Sequence, residues 1–341
     1  MVLPWLKIHQ RDKGEYMDIF KKKVVLVTGG TGSFGKKFIR TVLEKHQPKR
    51  LIVYSRDEFK QFEMQQQIPD PGNIMRYFIG DVRDKGRLKM ALRGVDYVVH
   101  AAALKQVPIL EYNPSEAIKT NVVGAMNVIE AAIECRVRKV IALSSDKACN
   151  PVNLYGATKL CSDKLFVDGN FYAGHGGTQF SVVRYGNVLA SRGSVIGFFG
   201  QKRADGVLPV TDRRMTRFWI TLEQAVQFVI KNFERMQGGE IFVPKIPSMA
   251  IIDLAKAIAP ECKVRIVGIR PGEKLHEVMI SEDDSRNTTE LKDCYIIRPS
   301  FYHTDEKYQR GKGVPDGFRY SSDSNTWWLS ARDLKALIQE R

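Results

Sequence analysis

At 341 residues with 43% apolar content, the chain can bury one large core or two modest ones, so a large domain with a smaller one attached is expected. Its formal charge of +15 would suit nucleic acid, an acidic membrane or small anions; the cations are spread out beyond Lys21-Lys22-Lys23 and no nucleic-acid-binding module accompanies them, which leaves a solvated basic surface and no nucleic-acid partner. No apolar run approaches the ~20 residues that span a bilayer, and Cys135, Cys149, Cys161, Cys262 and Cys294 lack a Cys-x-x-Cys pairing, which excludes a zinc site or disulfide framework and fits reduced thiols in the cytoplasm.

Residues 1–16 carry charges throughout around Trp5-Leu6, a poor match to a signal peptide. We expect a disordered extension ahead of a natural start at Met17. Residues 23–28 form a short apolar strand running into Gly29-Gly30-Thr31-Gly32-Ser33-Phe34-Gly35, and a helical pattern continues to Lys45. Glycines at 29, 32 and 35 let the turn tighten and the backbone approach a pyrophosphate, while the helix start supplies amides and a positive dipole end. Between a strand and a helix, this spacing marks a dinucleotide site. The next strand, 50–54, ends in Ser55-Arg56-Asp57. An acidic residue at that tip would grip a ribose 2′-hydroxyl, whereas Ser55 and Arg56 suit a 2′-phosphate, which favours NADP over NAD. The other reading leaves Arg56 merely exposed and Asp57 capping a helix over 58–68. A third strand, 75–79, leads to Gly80-Asp81-Val82, where the carboxylate can reach an adenine amino group and Val82 can cover the ring. After a helix over 84–93, a strand over 97–101 ends in Ala102, Ala103 and Leu104, small enough at the turn to admit a cofactor closely. Lys105 follows, either facing solvent or standing beside an anionic or hydroxylated substrate.

Residues 114–136 read as one amphipathic helix, with Ile118, Val122, Met126, Ile129 and Ile133 at helical spacing to pack on the sheet and offer an oligomer face. Asn121 on it either stiffens the site through hydrogen bonds or is satisfied locally. The run Val140 to Leu143 reads as a buried parallel strand that delivers Ser144 to Lys147 to its carboxyl end, where ligands bind in open α/β sheets. Beyond Asn150-Pro151, Tyr155 and Lys159 lie four apart at a helix start, one face carrying a phenol and an ammonium. The ammonium is expected to lower the phenol's pKa, making a base that takes a hydroxyl proton as hydride leaves the same carbon. A strand over 180–185 brings Gly186-Asn187-Val188 to the same edge, and Ser191-Arg192-Gly193-Ser194 opens a helix suited to a phosphate or hydroxyl-rich ligand. Helix 222–236 and strand 240–243 are expected to return to the first sheet. The cation-rich segments 213–217 and 268–276 read as a lobe for a nucleotide diphosphate. The division expected is therefore a dinucleotide-binding domain over 17–186 with 222–245 returning to it, and a substrate lobe from 187–221 and 246–341.

Thr28-Gly-Gly-Thr-Gly-Ser-Phe-Gly35 with Tyr155-x-x-x-Lys159 resembles the extended short-chain dehydrogenase/reductase superfamily, which implies a doubly wound parallel sheet of Rossmann type with a smaller carboxyl-terminal lobe. More narrowly, Ser55-Arg-Asp-Glu58, Ala101-Ala-Ala-Leu-Lys105, Ser145-Asp-Lys-Ala148, Arg184-Tyr-Gly-Asn187, Met215-Thr-Arg-Phe-Trp219 and Arg270-Pro-Gly-Glu-Lys274 resemble the inverting UDP-N-acetylglucosamine 4,6-dehydratases that begin pseudaminic acid synthesis. The likeness runs from about Met17 to Trp328. Asp146-Lys147 is its discriminating pair: sugar 4-epimerases of the superfamily carry small or hydroxyl residues there, and retaining 4,6-dehydratases carry Asp-Glu.

The resemblance implies that Tyr155, aided by Lys159, takes the O4 proton while NADP accepts the C4 hydride. Lys147 as a neutral amine would then remove the C5 proton, and Asp146 as a protonated acid would release the C6 hydroxyl as water. Hydride returns to C6, and a proton delivered to the opposite face inverts C5, giving UDP-2-acetamido-2,6-dideoxy-β-L-arabino-hexos-4-ulose for glycosylation of flagellin, capsule or lipopolysaccharide. It further implies contacts to the cofactor from Gly29, Thr31 to Gly35, Ser55 to Glu58, Lys60, Asp81, Val82, Ala101, Tyr155, Lys159 and Val188. Contacts to the UDP-sugar would come from Lys105, Asn187, Arg192, Thr216 and Arg270. NADP would be held tightly, no metal is called for, and a hexamer is implied. Because neighbours on a strand point to opposite faces, this chemistry requires the backbone to leave strand geometry by Asp146. It also requires a proton arrangement that an adjacent Asp and Lys would not adopt in water.

Overall fold

The computed structural model describes residues 18–189, 195–299 and 311–339; the expected extension and the segment Ser191 to Ser194 with Arg192 lie outside them. Six apolar segments form parallel strands: β1 (Val24–Thr28), β2 (Arg50–Ser55), β3 (Met75–Ile79), β4 (Tyr97–His100), β5 (Lys139–Ser145) and β6 (Gln179–Tyr185). They lie in the order β3-β2-β1-β4-β5-β6. Val25, Leu26, Val27, Val98, Val99, Val140 and Ile141 are wholly buried, as strands covered by helices on both faces require. The strand order reverses between β1 and β4, and the crevice at their carboxyl ends is where a ligand fits. This is an α/β fold on a Rossmann-like parallel sheet.

Ile241–Pro244 adds a seventh parallel strand beside β6. Beyond it the sheet continues antiparallel through Cys294–Ile297, Thr288–Glu290 and Lys312–Gly313. The sequence reading placed these last segments in the substrate lobe; two to four residues of extended chain carry too little alternation to announce a strand. Their register is set by contacts made far along the chain. A second, separate core forms the smaller lobe, where Phe199, Leu208, Val210, Met215, Trp219, Met249, Leu254 and Leu334 pack together.

The expected helix over 114–136 is Pro114–Ile118, a π-helical turn Lys119–Val123, and Gly124–Glu134. The wider turn shifts the register of everything after it. Ala125, Val128, Ile129, Ala131 and Ala132 therefore face the core, while Ile118 and Met126, which the periodicity assigned to the packed stripe, are 45% and 40% exposed. Asn121 sits inside the turn, where it accepts a hydrogen bond from the Leu104 amide at 2.8 Å and donates to the Leu104 carbonyl at 2.9 Å. It also donates to the Thr158 hydroxyl. One side chain thus fixes the loop after β4 against the Tyr155 helix.

Candidate active site

A cleft of about 670 Å³ opens along the carboxyl edge of β1 to β6. At one end β1 turns through Gly29, whose φ of +65° and whose closeness to the Ala102 backbone, 2.9 Å from where a Cβ would stand, both require glycine. The helix Ser33–Lys45 then starts at Gly32 with no side-chain cap and no acidic residue in its first turn. Its first amides face the cleft with a positive dipole end, an arrangement that fits a pyrophosphate. Thr31 and Ser55 share a hydrogen bond of 2.8 Å, and Asp57 caps the helix Glu58–Gln67 by accepting from the Lys60 amide at 2.9 Å. Asp57 also forms an ion pair with Lys60. Asp81 is held between Arg83 at 2.7 Å and Arg56 at 3.5 Å; burial alone would raise its carboxyl, but the arginines and the Arg83 amide bring it below the usual range.

At the other end, strand geometry stops at Ser145, and Asp146–Ala148 form a turn of 3-10 helix. The break lets adjacent side chains converge. The Lys147 ammonium lies 3.0 Å from Asp146 Oδ1, 3.3 Å from Glu277 and 3.5 Å from the Asn187 side-chain oxygen. Asp146 is fully buried, and among the described residues its Oδ2 has no hydrogen-bond partner, which disfavours the ion. Burial raises its pKa, Lys147 opposing and Glu277 adding to the rise. Burial works against the charge on Lys147 as well, yet the carboxylates of Asp146 and Glu277 outweigh it and hold the amine above its usual range. The sequence reading called for a neutral amine at Lys147; with two carboxylates at 3.0 and 3.3 Å, the resting side chain is an ammonium.

Tyr155 and Lys159 stand on the helix Leu154–Ala173, capped by Asn153, which accepts from the Gly156 amide at 2.8 Å. Burial pushes the Tyr155 phenol up to about 12, against the pull of Lys147 and a hydrogen bond with Ser145. The sequence reading gave the lowering of this phenol to Lys159. Here the Lys159 ammonium instead donates to the Leu143 carbonyl at 2.6 Å, and burial lowers its own pKa. Gly156 is what allows the helix to pack on the Lys147 turn, since a Cβ there would overlap the Lys147 carbonyl oxygen. Gly156→Ala is expected to lower stability by about 1–3 kcal/mol and to cut turnover in excess of that loss, as read by thermal melts and steady-state rates.

Gly29, Thr31, Gly32, Ser33, Phe34, Gly35, Ser55, Arg56, Asp57, Lys60, Asp81, Val82, Ala101, Tyr155, Lys159 and Val188 all line this one cleft, and so do Lys105, Lys147 and Asn187. Asp146 lies just beneath it, and Glu58 is set back in the first turn of its helix. Two expected substrate contacts are not brought to the cleft wall. Thr216 is buried, bonded to His276 at 2.8 Å and Ser322 at 2.7 Å, and the Arg270 side chain is 68% exposed and paired with Glu273. Nor does Arg217 present its guanidinium to a diphosphate: it donates to the carbonyls of Thr216, Lys274 and Leu275. No group of His, Cys, Asp and Glu among the described residues could hold a metal, and no described helix is long and apolar enough to cross a membrane.

The family model described as "Polysaccharide biosynthesis protein" matches residues 25–299, the stretch that carries the sheet and both ends of the cleft. The chain belongs to this polysaccharide biosynthesis family. A curated relative from Campylobacter jejuni named UDP-N-acetylglucosamine 4,6-dehydratase (inverting) is 58% identical over 330 residues, covering 94% of this chain and 98% of the relative. A protein from Rickettsia akari named UDP-glucose 4-epimerase is 43% identical, with 82% and 84% covered. Among solved structures, Pen from Bacillus thuringiensis matches with a TM-score of 0.86 and 38% identity over 95% of this chain and all of that one. This member of the polysaccharide biosynthesis family carries one buried carboxylate behind the cleft that the motifs did not announce. Glu277, 2% exposed, reaches Lys147 from just ahead of the strand Val278–Ile280, with Arg217 at 3.6 Å and Lys274 at 3.7 Å behind it. The available signal was a carboxylate directly after the cationic segment ending in His276. Asp163 and Arg184, paired at 3.2 Å beneath the Ser144 hydroxyl, likewise went unremarked as a pair, because they lie on different elements.

Proposed function

We propose that this protein is an inverting 4,6-dehydratase of UDP-N-acetylglucosamine that uses NADP. The observation that carries the reading is the Lys147 amine at the cleft wall, 3.0 Å from a buried Asp146, in a chain 58% identical to a relative of that name. The resting ion pair and the neutral pair needed for the reaction differ by one proton moved across 3.0 Å, with no change in total charge. Burial favours the neutral form once substrate closes the cleft. Tyr155 takes the O4 proton, Lys147 the C5 proton, and Asp146 protonates the departing C6 oxygen, so that water leaves and the pair regains its starting charge. A proton returned to the other face of C5 inverts that centre. When bound on the glycine turn and the Ser33 helix start, NADP would take the C4 hydride and give it back to C6. The product would be UDP-2-acetamido-2,6-dideoxy-β-L-arabino-hexos-4-ulose, a cytoplasmic entry into pseudaminic acid, and the exposed Ile118 and Met126 side of its helix would serve the hexamer.

NMR of the product formed in deuterated water tests this reading: a C6 methyl group and deuterium at C5 are expected, with C5 inverted. An intact C6 hydroxyl would point to the 4-epimerase reading, which the Rickettsia relative's name favours. Preference for NADP rests on Ser55 and Arg56 lining the cleft; the helix cap made by Asp57 and the half-exposed Arg56 side chain are what the other reading expected, so the variant at Arg56 decides between the two. Arg56→Asp is expected to weaken NADP at least about tenfold relative to NAD, the loss of one charge-assisted contact. Competitive binding of the two dinucleotides measures it; an unchanged ratio would assign the 2′-phosphate to other side chains.

A further inference from the structure

We propose that Glu277 is the positioning residue of this site: its buried carboxylate, set just ahead of the strand Val278–Ile280, holds Lys147 against Asp146 and keeps one shared proton on that pair. The inference rests on the dehydratase reading and extends it to a side chain outside the strand-end motif.

The carboxylate lies in a chain of charged contacts. On one side it meets Lys147 at 3.3 Å; on the other it is flanked by Arg217 and Lys274. Lys274 also donates to the Cys149 carbonyl at 2.5 Å, tying the same segment to the backbone just past the Lys147 turn. The strand that follows it, Val278–Ile280, pairs with Tyr320–Ser321, and its Met279 and Ile280 pack with Tyr320 in the main core. The groups facing Lys147 are thus Asp146 from its own turn, Glu277 and Lys274 from the segment ahead of Val278–Ile280, Arg217 from the strand Thr216–Ile220, Tyr155 from its helix and Lys105 from the loop after β4. Two are carboxylates close enough to pair directly, and only Glu277 is free of a proton-transfer role. Three cations bring Glu277 below the usual carboxylate range although burial alone would raise it, so its charge persists through neutral pH.

The sign of the effect follows from that charge. A fixed negative charge beside Asp146 and Lys147 raises the proton affinity of both. The pair therefore keeps its shared proton to higher pH, and that proton is the one Asp146 delivers to the leaving oxygen. Without Glu277 the pair loses it at lower pH, and the descending limb of the rate profile moves down.

The test compares Glu277→Gln and Glu277→Asp with the parent enzyme. We expect the Gln variant to shift the alkaline limb of kcat down by about 1–3 pH units, the range for a neighbouring charge, and to slow C5 deuterium exchange while C4 oxidation, read at 340 nm, continues. The Asp variant should keep the limb in place, with a lower rate at every pH. In parallel, the 13Cε signal of Lys147 in lysine-labelled protein, assigned by its loss in Lys147→Arg, should titrate at lower pH in the Gln variant. A uniform fall in rate with an unmoved limb and an unmoved 13Cε titration would reduce Glu277 to a packing role and overturn the inference. The NMR titration needs no turnover, so it decides this point even if the parent enzyme forms no 4,6-dehydrated product, a result that would instead defeat the proposed function. If the Gln variant melts too early to assay, the inference stands or falls on the Asp variant: a limb that moves with the charge retained overturns it.

Discussion

Lys147→Ala is expected to abolish deuterium exchange at C5, by about 10²–10⁴-fold, while the protein still binds NADP and still oxidises the sugar at C4. The expectation follows from where the amine stands. Lys147 lines the cleft with Tyr155, Lys159 and Asn187, but the cofactor end is built from β1, β2 and β3, and among the described residues it shares no hydrogen bond with Lys147. Removing the amine also strips Asp146 of the partner that opposes its raised pKa, so Asp146 protonates and the pocket loses its base without gaining a buried charge. Glu277 retains Arg217 and Lys274, which guards the fold. Absorbance at 340 nm on mixing with substrate, together with NMR of C5, separates the two steps. Undiminished exchange would remove Lys147 from the chemistry.

Tyr155→Phe is expected to stop the sequence one step earlier, with no absorbance change at 340 nm and a fall of about 10²–10⁴-fold in turnover. The phenol lies at a helix start held by the Asn153 cap, so its loss should leave the fold intact. Its pKa bears on the pH profile. A phenol pushed up to about 12 by burial is protonated at neutral pH, and the fraction present as base grows as pH rises towards that value. The rate of C4 oxidation in the parent enzyme should therefore climb with pH, and the Phe variant should lack both the rate and the climb. A variant with parental C4 oxidation would assign the base elsewhere. Read together, the two variants place each proton with one side chain.

What the sequence disclosed of this fold was the part written in continuous local patterns. β1, β2, β4 and β5 are built on continuous apolar runs and β6 on a mostly apolar one, and the tips of β1, β2, β4 and β5 carry the glycine turn, Ser55, Ala101 and Ser145, so the cleft could be laid out before any contact was known. The pairing of Tyr155 with Lys159 on one helix face follows from helical spacing alone. The edge strands Thr288–Glu290 and Lys312–Gly313 were invisible because three and two residues respectively acquire strand geometry only by docking on Cys294–Ile297. The same limit explains the site. Thr216 and Arg270 sit in motifs that resemble substrate contacts, yet their partners, Ser322 and Glu273, decide where the side chains point. Glu277 was missed for the converse reason: nothing local marks a carboxylate whose partner is 130 positions away along the chain, and the protonation of Lys147 depends on it. The π-helical turn left no mark either, since its apolar spacing matches an ordinary helix.

That turn has a mechanical corollary. Each residue advances an ordinary helix by about 100°, so the surplus residue between Ile118 and Gly124 acts as a phase shifter between two tasks. Within it Asn121 is clocked to clamp the Leu104 peptide; behind it the helix is clocked to seat Val128 and Ile129 in the core. A chain shortened by one residue there would wind more regularly and lose one of the two alignments.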